Sequence, residues 1–250
     1  MKPFPEAVDA GTVPGGPTGV LLRLQATGAE SVLPPVAAMS LVLDDVELAR
    51  AARLIDPRLS SSFIAGRYLL RTLAAELLGV PAFRLVSSFT CPRCTRAGRS
   101  DHGRPGYTLD GGVLPMALSL SRAGQVVLLG ALDPGSGTGT GWGVGAGIGV
   151  DLERVADVGF DGFDDVALTP GERSSLQRLP TAHRAAARAR LWTRKEALVK
   201  ALGTGFTDRG PSGVEVLADG RITDVREVDD VLLGTLGLAA AVAVVPAPAG

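Results

Sequence analysis

Aromatic side chains are scarce in this chain, 4 % of 250 residues, while hydrophobic residues of all kinds make up 46 %. Its interior must therefore be filled by Ala, Val and Leu rather than by rings. Cysteine is almost absent: only Cys91 and Cys94 occur, which excludes a disulfide framework. An excess of one charge is lacking too. With 25 basic and 26 acidic residues, nothing marks a general nucleic-acid binder, whose footprint is a basic surplus. The apolar run at 236–248 is too short to span a bilayer. Met1 to Pro17 has one lysine, several prolines and glycines and no apolar segment, so it is not a secretory signal. These absences lead to the expectation of a soluble cytoplasmic protein with neither nucleic-acid nor membrane partners. The glycines of 135–149 form no phosphate loop or dinucleotide fingerprint, because they precede a strand instead of joining a strand to a helix.

What is present reads as alternating strands and helices. Residues 1–18 read as a disordered arm. Val20, Leu22 and Leu24 alternate in a strand over 19–25. Residues 44–54 are helical, with Asp44 or Asp45 as cap, and Pro57 is read as an interruption. A strong helix covers 63–78 and stops at Gly79, with Gly66 a mild internal cost. Residues 81–89 read as irregular chain or a short strand, and 90–112 as a polar loop. Residues 116–121 and 125–132 suggest a hairpin turning at Arg122-Ala123-Gly124. A Gly, Ser and Thr-rich linker at 133–141 puts a domain boundary near residue 140. A strand follows over 147–153. Thr169-Pro170-Gly171-Glu172 is a capping box, and Pro180 ends the helix it starts. A longer helix covers 182–202 and stops at Gly203. The tail supplies a segment at 214–217, a turn at Asp219-Gly220 and a strand at 238–245. Both halves run strand, helices, paired strands. The expected fold is α+β, two similar halves (19–140 and 141–250) forming an intramolecular pseudo-dimer with the active cleft between them.

The chemistry concentrates in two places. Asp151 and Glu153 are two residues apart on a strand, so both point to one face. They are either salt-bridged acids, with Arg154 or a helix arginine as partner, or a pair needing a cation between them. In Trp192-Thr193-Arg194-Lys195-Glu196-Ala197-Leu198-Val199-Lys200, Glu196 and Lys200 are four apart. That is either an ordinary helical ion pair or part of an oxygen-ligand site. If this helix packs on the Asp151 strand, Glu196 completes three carboxylates. Such a set favours magnesium over zinc, and lysines can hold the phosphates that accompany it.

D-x-E followed by W-[ST]-x-K-E-x-x-x-K at this distance resembles the 4′-phosphopantetheinyl transferase superfamily, specifically its larger pseudo-dimeric type. Phe63-x-x-Gly66-Arg67-x-x-Leu70-Arg71, Gly103-Arg104-Pro105, Thr169-Pro170-x-Glu172 and Ala201-x-Gly203-x-Gly205 are similar to further family elements, in the family's order, over residues 44–245. The resemblance implies a monomeric holo-[acyl-carrier-protein] synthase type of enzyme. It would move the phosphopantetheine arm of coenzyme A to a serine of an apo acyl or peptidyl carrier protein of fatty acid, polyketide or nonribosomal peptide synthesis. It implies Asp151, Glu153 and Glu196 as magnesium ligands, and Glu196, Lys200 and Asp151 as catalytic residues. Arg104, Ser119, Lys195, Lys200 and Arg67 are implied as coenzyme contacts. The N-terminal half would be the coenzyme and carrier-protein side. Arg184, Arg188, Arg190 and Arg194 make the long helix basic, which is a solvated face or a dock for an acidic carrier helix.

The pattern departs from the family at one end. Where it carries N-[IVL]-S-H-[ST], this chain has Ala117-Leu118-Ser119-Leu120-Ser121, and Ser60, Ser61 and Ser62 stand where an arginine is common. Each lost phosphate contact costs about 1.5–3 kcal/mol when the charge finds no partner. The consequence is weaker coenzyme binding, replacement by a nearby arginine such as Arg122, a changed donor, or a degenerate member that binds a carrier protein or nucleotide without efficient transfer. Cys91, Cys94 and His102 are three of the four ligands a structural zinc site needs, with no fourth evident; reduced thiols are the simpler reading.

Overall fold

A computed structural model describes residues 19–28, 31–91, 102–114, 116–132, 145–206 and 208–247. The expected arm at 1–18, the linker at 133–141 with its boundary near 140, and Cys94 lie wholly or largely outside the described residues.

The first half opens with β1 (Val20–Ala26), whose alternate residues are buried. Helices α1 (Val36–Ser40), α2 (Asp45–Ala52) and α3 (Pro57–Leu78) follow. Asp44 caps α2 by accepting from the Glu47 amide. Pro57 does not interrupt the chain. It opens α3, with Asp56 as cap, so that helix begins six residues before the expected Phe63; a proline is cheap at the first helical position, where the missing N–H has no partner anyway. α3 ends on Gly79 in the left-handed conformation, φ 64°. Strands β2 (Leu85–Ser87), β3 (Tyr107–Leu109) and β4 (Gly112–Val113) form a small sheet, so the expected polar loop ends as strand. Arg71 of α3 fastens this corner through Asp44, Glu47 and the Leu85 carbonyl. Then come β5 (Ala117–Ala123) and β6 (Val126–Leu132). Arg122 and Ala123 belong to β5, and the turn sits at Gly124-Gln125.

The second half opens with β7 (Gly147–Arg154), followed by α4 (Phe163–Ala167), α5 (Pro170–Gln177) and α6 (Thr181–Leu202). The Thr169–Glu172 capping box forms in full, and α6 stops on left-handed Gly203. The 214–217 segment is not a strand: Pro211–Gly213 is a single 3-10 turn and the chain beyond is irregular. Regular pairing resumes only in β8 (Ile222–Val225). A two-residue turn at Asp229-Asp230, both with positive φ, closes the ribbon β9 (Glu227–Val228) and β10 (Val231–Leu232). β11 (Leu238–Val245) completes the sheet.

Besides the small β2-β3-β4 sheet, the described residues form two larger three-stranded antiparallel sheets, β1-β6-β5 and β7-β11-β8. In each, the opening strand pairs with the closing strand, which pairs with another strand of its own half. Each half also carries one 22-residue helix that ends on a left-handed glycine. Strand parity sorts the core. Leu22, Leu24, Leu128 and Leu132 meet Ile148, Val150, Leu152, Val242 and Val244 between the sheets. Val127, Leu129 and Ala131 turn instead to α3, and Ala241, Ala243 and Val245 to α6. At the seam, edge strands β5 and β7 meet, and the Ser119 hydroxyl accepts the Val150 N–H at 3.0 Å.

Candidate functional site

The odd-numbered residues of β7 face away from the shared core, so Gly149, Asp151 and Glu153 lie on the side where α6 packs. Gly149 permits that packing. A Cβ there would meet the Ala197 carbonyl oxygen and, at 2.5 Å, the Ala201 nitrogen. With no side chain in the way, α6 settles on β7 and brings Lys200 and Glu196 beside the strand acids.

Lys200 Nζ lies 2.6 Å from Asp151 Oδ1, and the Ser121 hydroxyl donates to the same oxygen at 2.8 Å. Asp151 is buried, and its Oδ2 has no hydrogen-bond partner. Burial raises the Asp151 pKa, against the pull of Lys200 and Ser121. Glu153 is pushed up to about 7, first by burial and then by the Asp151 charge. Its Oε1 accepts from the Trp192 indole at 3.3 Å. Burial also raises Glu196, with Asp151 adding to the effect and Lys200 opposing it. The three acids thus act on one another electrostatically. Among the described residues, however, no group of three His, Cys, Asp or Glu side chains closes into a cluster able to hold a metal ion. As it stands, Lys200 supplies the positive charge at Asp151. The donor chemistry nevertheless suits a hard cation: oxygen-only, carboxylate-rich, with one buried carboxylate oxygen unanswered.

A cleft of about 290 Å³ opens beside these groups, between the halves. Arg67, Arg104, Ser119, Leu120, Arg122, Glu196, Lys200 and Phe206 are among its walls. Arg104 is held by a bridge between its backbone and Thr90, and its Nη1 donates to the Ala201 carbonyl at 3.3 Å, near the end of α6. It therefore serves the helix terminus as well as the cleft. Ser119 lines the cleft too, although its hydroxyl is engaged by Val150.

Lys195 corrects the sequence expectation. It is wholly buried on the opposite side of α6 from the coenzyme position assigned to it. Its Nζ pairs with Glu172 at 2.7 Å and donates to the carbonyls of Pro211 and Val214. The reason is helical geometry: neighbouring residues are about 100° apart on the helix, so Lys195 and Glu196 cannot share a face. The basic row on α6 is also largely engaged within the chain. Arg188 pairs with Asp164, Arg190 and Arg194 pair with Asp224, and Arg184 donates to the carbonyls of Leu179 and Gln177.

Three participants were given no site role from sequence. Ser121 shares the Asp151 oxygen with Lys200, Trp192 holds Glu153, and Phe206 stacks on Trp192 at 5.6 Å. The strand alternation that puts Ser119 and Ser121 on one face was the available signal for Ser121. Nothing in the local sequence pairs Trp192 with Glu153.

The family model of the 4′-phosphopantetheinyl transferase superfamily matches residues 147–226. That span begins with β7 and runs past β8, so it contains all three acids, both lysines and the capping box of α5. No curated protein matches the chain. Over residues 147–226 the chain is thus similar to the 4′-phosphopantetheinyl transferase superfamily.

Proposed function

We propose that the protein moves the 4′-phosphopantetheine arm of coenzyme A to a serine hydroxyl of an apo acyl or peptidyl carrier protein, with magnesium, as a holo-[acyl-carrier-protein] synthase. The observation that carries this reading is that Glu196 and Lys200 line an arginine-rich cleft, with Asp151 bonded to Lys200 and Glu153 on the same face of its strand. In the reaction the serine oxygen forms a bond to the β-phosphorus, the P–O bond to the α-phosphate side breaks, and adenosine 3′,5′-bisphosphate leaves. The serine proton needs an acceptor. Glu196, which lines the cleft beside Lys200, is the assigned one. Lys200 neutralises charge on the transferring phosphate. Asp151, Glu153 and Glu196 would hold magnesium, which supplies charge neutralisation on pyrophosphate oxygens when bound. Arg104, Ser119 and Arg67 are assigned to the coenzyme side of the cleft.

The repeated strand order and the matched 22-residue helices support an internal duplication, in which one chain forms a complete cleft as a monomer. Among the described residues no helix is long and apolar enough to cross a membrane. A cytoplasmic location fits the carrier proteins and coenzyme this reaction requires.

The test is the intact mass of an apo carrier protein after incubation with the enzyme, coenzyme A and magnesium. A gain equal to one phosphopantetheine arm, lost with chelator, is the expected result. No gain across fatty acid, polyketide and nonribosomal peptide carriers removes the transferase reading, and a complex without mass gain favours a binding protein.

A further inference from the structure

Aromatic side chains are few, 4 % of the chain, yet four of them stand in one row. Phe160 meets Phe163 edge-on at 5.5 Å, Phe163 meets Trp192 at 5.7 Å and 70°, and Phe206 stacks on Trp192 at 5.6 Å and 27°. The indole is therefore held by two rings, and these two supports differ. Phe163 belongs to α4 and is buried in the core that α6 packs on. Phe206 is half-buried, lies on irregular chain beyond α6, and forms part of the cleft wall. Gly203 and Gly205 both have positive φ, which glycine adopts without steric cost. They turn the chain after α6 so that Phe206 comes back over Trp192.

The same indole reaches the strand acids. Trp192 Nε1 donates to Glu153 Oε1 at 3.3 Å, and among the described residues this is the one side-chain hydrogen bond that Glu153 makes. The bond is long for an N–H donor, so a small rotation of the indole breaks or tightens it. The ring system is rigid, and whatever fixes its face also fixes where its N–H points. Packing alone would be met by any apolar side chain of similar size. A stacked ring does more, because the quadrupoles of two aromatic faces set their offset and tilt.

We propose that Phe206 is a positioning residue: stacked on Trp192, it fixes the indole so that its N–H holds the Glu153 carboxylate in one orientation beside Asp151. Resting on the transferase reading, the property it controls is affinity for the divalent ion that Asp151, Glu153 and Glu196 are assigned to hold.

Manganese, visible by electron paramagnetic resonance, serves as the probe in place of magnesium. Free ion is counted as it is titrated into protein saturated with coenzyme A, with no carrier protein present. Phe206→Leu should weaken manganese binding about 10-fold, the lower end of what loss of a partner behind a metal ligand costs. Phe206→Tyr, which keeps the ring, should restore it. Trp192→Phe removes the N–H and should weaken binding by a similar factor. Adding Phe206→Leu to Trp192→Phe should then change nothing further, since both act through one bond. The Phe206 pair of variants keeps the test decisive where Trp192→Phe fails to fold. Coenzyme A binding without metal should fall by less than manganese binding does. A fall confined to coenzyme A makes Phe206 a plain wall of the cleft and overturns the proposal. So does manganese binding that is absent from the wild type, unchanged in Phe206→Leu, equally weak in Phe206→Tyr, or lost additively in the double variant. Unchanged manganese binding while carrier protein still gains mass leaves the transferase reading intact. Manganese binding that depends on Phe206, without any mass gain, keeps the positioning role and removes the transferase reading.

Discussion

Lys200 Nζ and Asp151 Oδ1 are 2.6 Å apart, joining the last turn of α6 to the middle of β7. The pair exists because Gly149 lets helix and strand approach, and it leaves Asp151 Oδ2 buried and unanswered. Lys200→Met should lower kcat/KM for carrier modification by about 10²–10³-fold, the usual effect of removing one preorganised charge contact. Asp151→Asn should be comparably inactive while melting at or above the wild-type temperature, because it removes a buried charge. An active Asp151→Asn enzyme would contradict its assignment.

Lys195 predicts a contrast with Lys200. Its partner Glu172 is fully buried, so Lys195→Met strands that carboxylate at a cost of about 3–5 kcal/mol. Denaturant unfolding should show this loss, and whatever folds should keep its KM for coenzyme A. A raised KM with unchanged stability would return Lys195 to the coenzyme site.

Glu153 sets a pH dependence for the metal-free protein. Its folded pKa, about 7, lies above the ordinary glutamate value of 4.5. Between those values the native state holds a proton that the unfolded state has released. Stability therefore falls as pH rises through that window. Thermal melts of chelated protein should drop from pH 5 to pH 7.5, and Glu153→Gln should flatten the slope. If magnesium binds these acids, adding it should raise the melting temperature most at the upper end.

Gly149→Ala should be strongly destabilising, because the new methyl meets helix backbone rather than a mobile side chain. A loss of about 1–3 kcal/mol is the scale of such overpacking. Residual transfer should fall with it, since Glu196 and Lys200 are displaced from Asp151. Unchanged unfolding midpoints would mean that α6 can shift freely on β7.

Much of this protein was legible in its sequence because the signals are local. Val20, Leu22 and Leu24 alternate, Thr169 and Glu172 cap α5, and Gly79 and Gly203 stop their helices, each through a backbone rule acting within a few residues. Pro57 misled because a proline ends one helix or starts another depending on its neighbours, and here Asp56 caps the start. The apolar segment at 214–217 makes no ladder; its Val214 and Val216 carbonyls serve Lys195 and Arg194 instead. The Asp229-Asp230 turn was missed because aspartates with positive φ lack the glycine that usually marks such a hairpin.

The sequence by itself determined the candidate site residues: two acids of like parity on one strand, and an acid and a lysine one helical turn apart on another element. Tertiary structure alone decided how they are arranged. The pitch of α6 sends Glu196 and Lys200 to the cleft and Lys195 into a buried pair with Glu172. The close approach at Gly149 ties Lys200 to Asp151, and the turn of β5 over Gly66 brings Arg122 beside Arg67. These outcomes depend on distances between elements far apart in the chain, which periodicity and spacing do not encode.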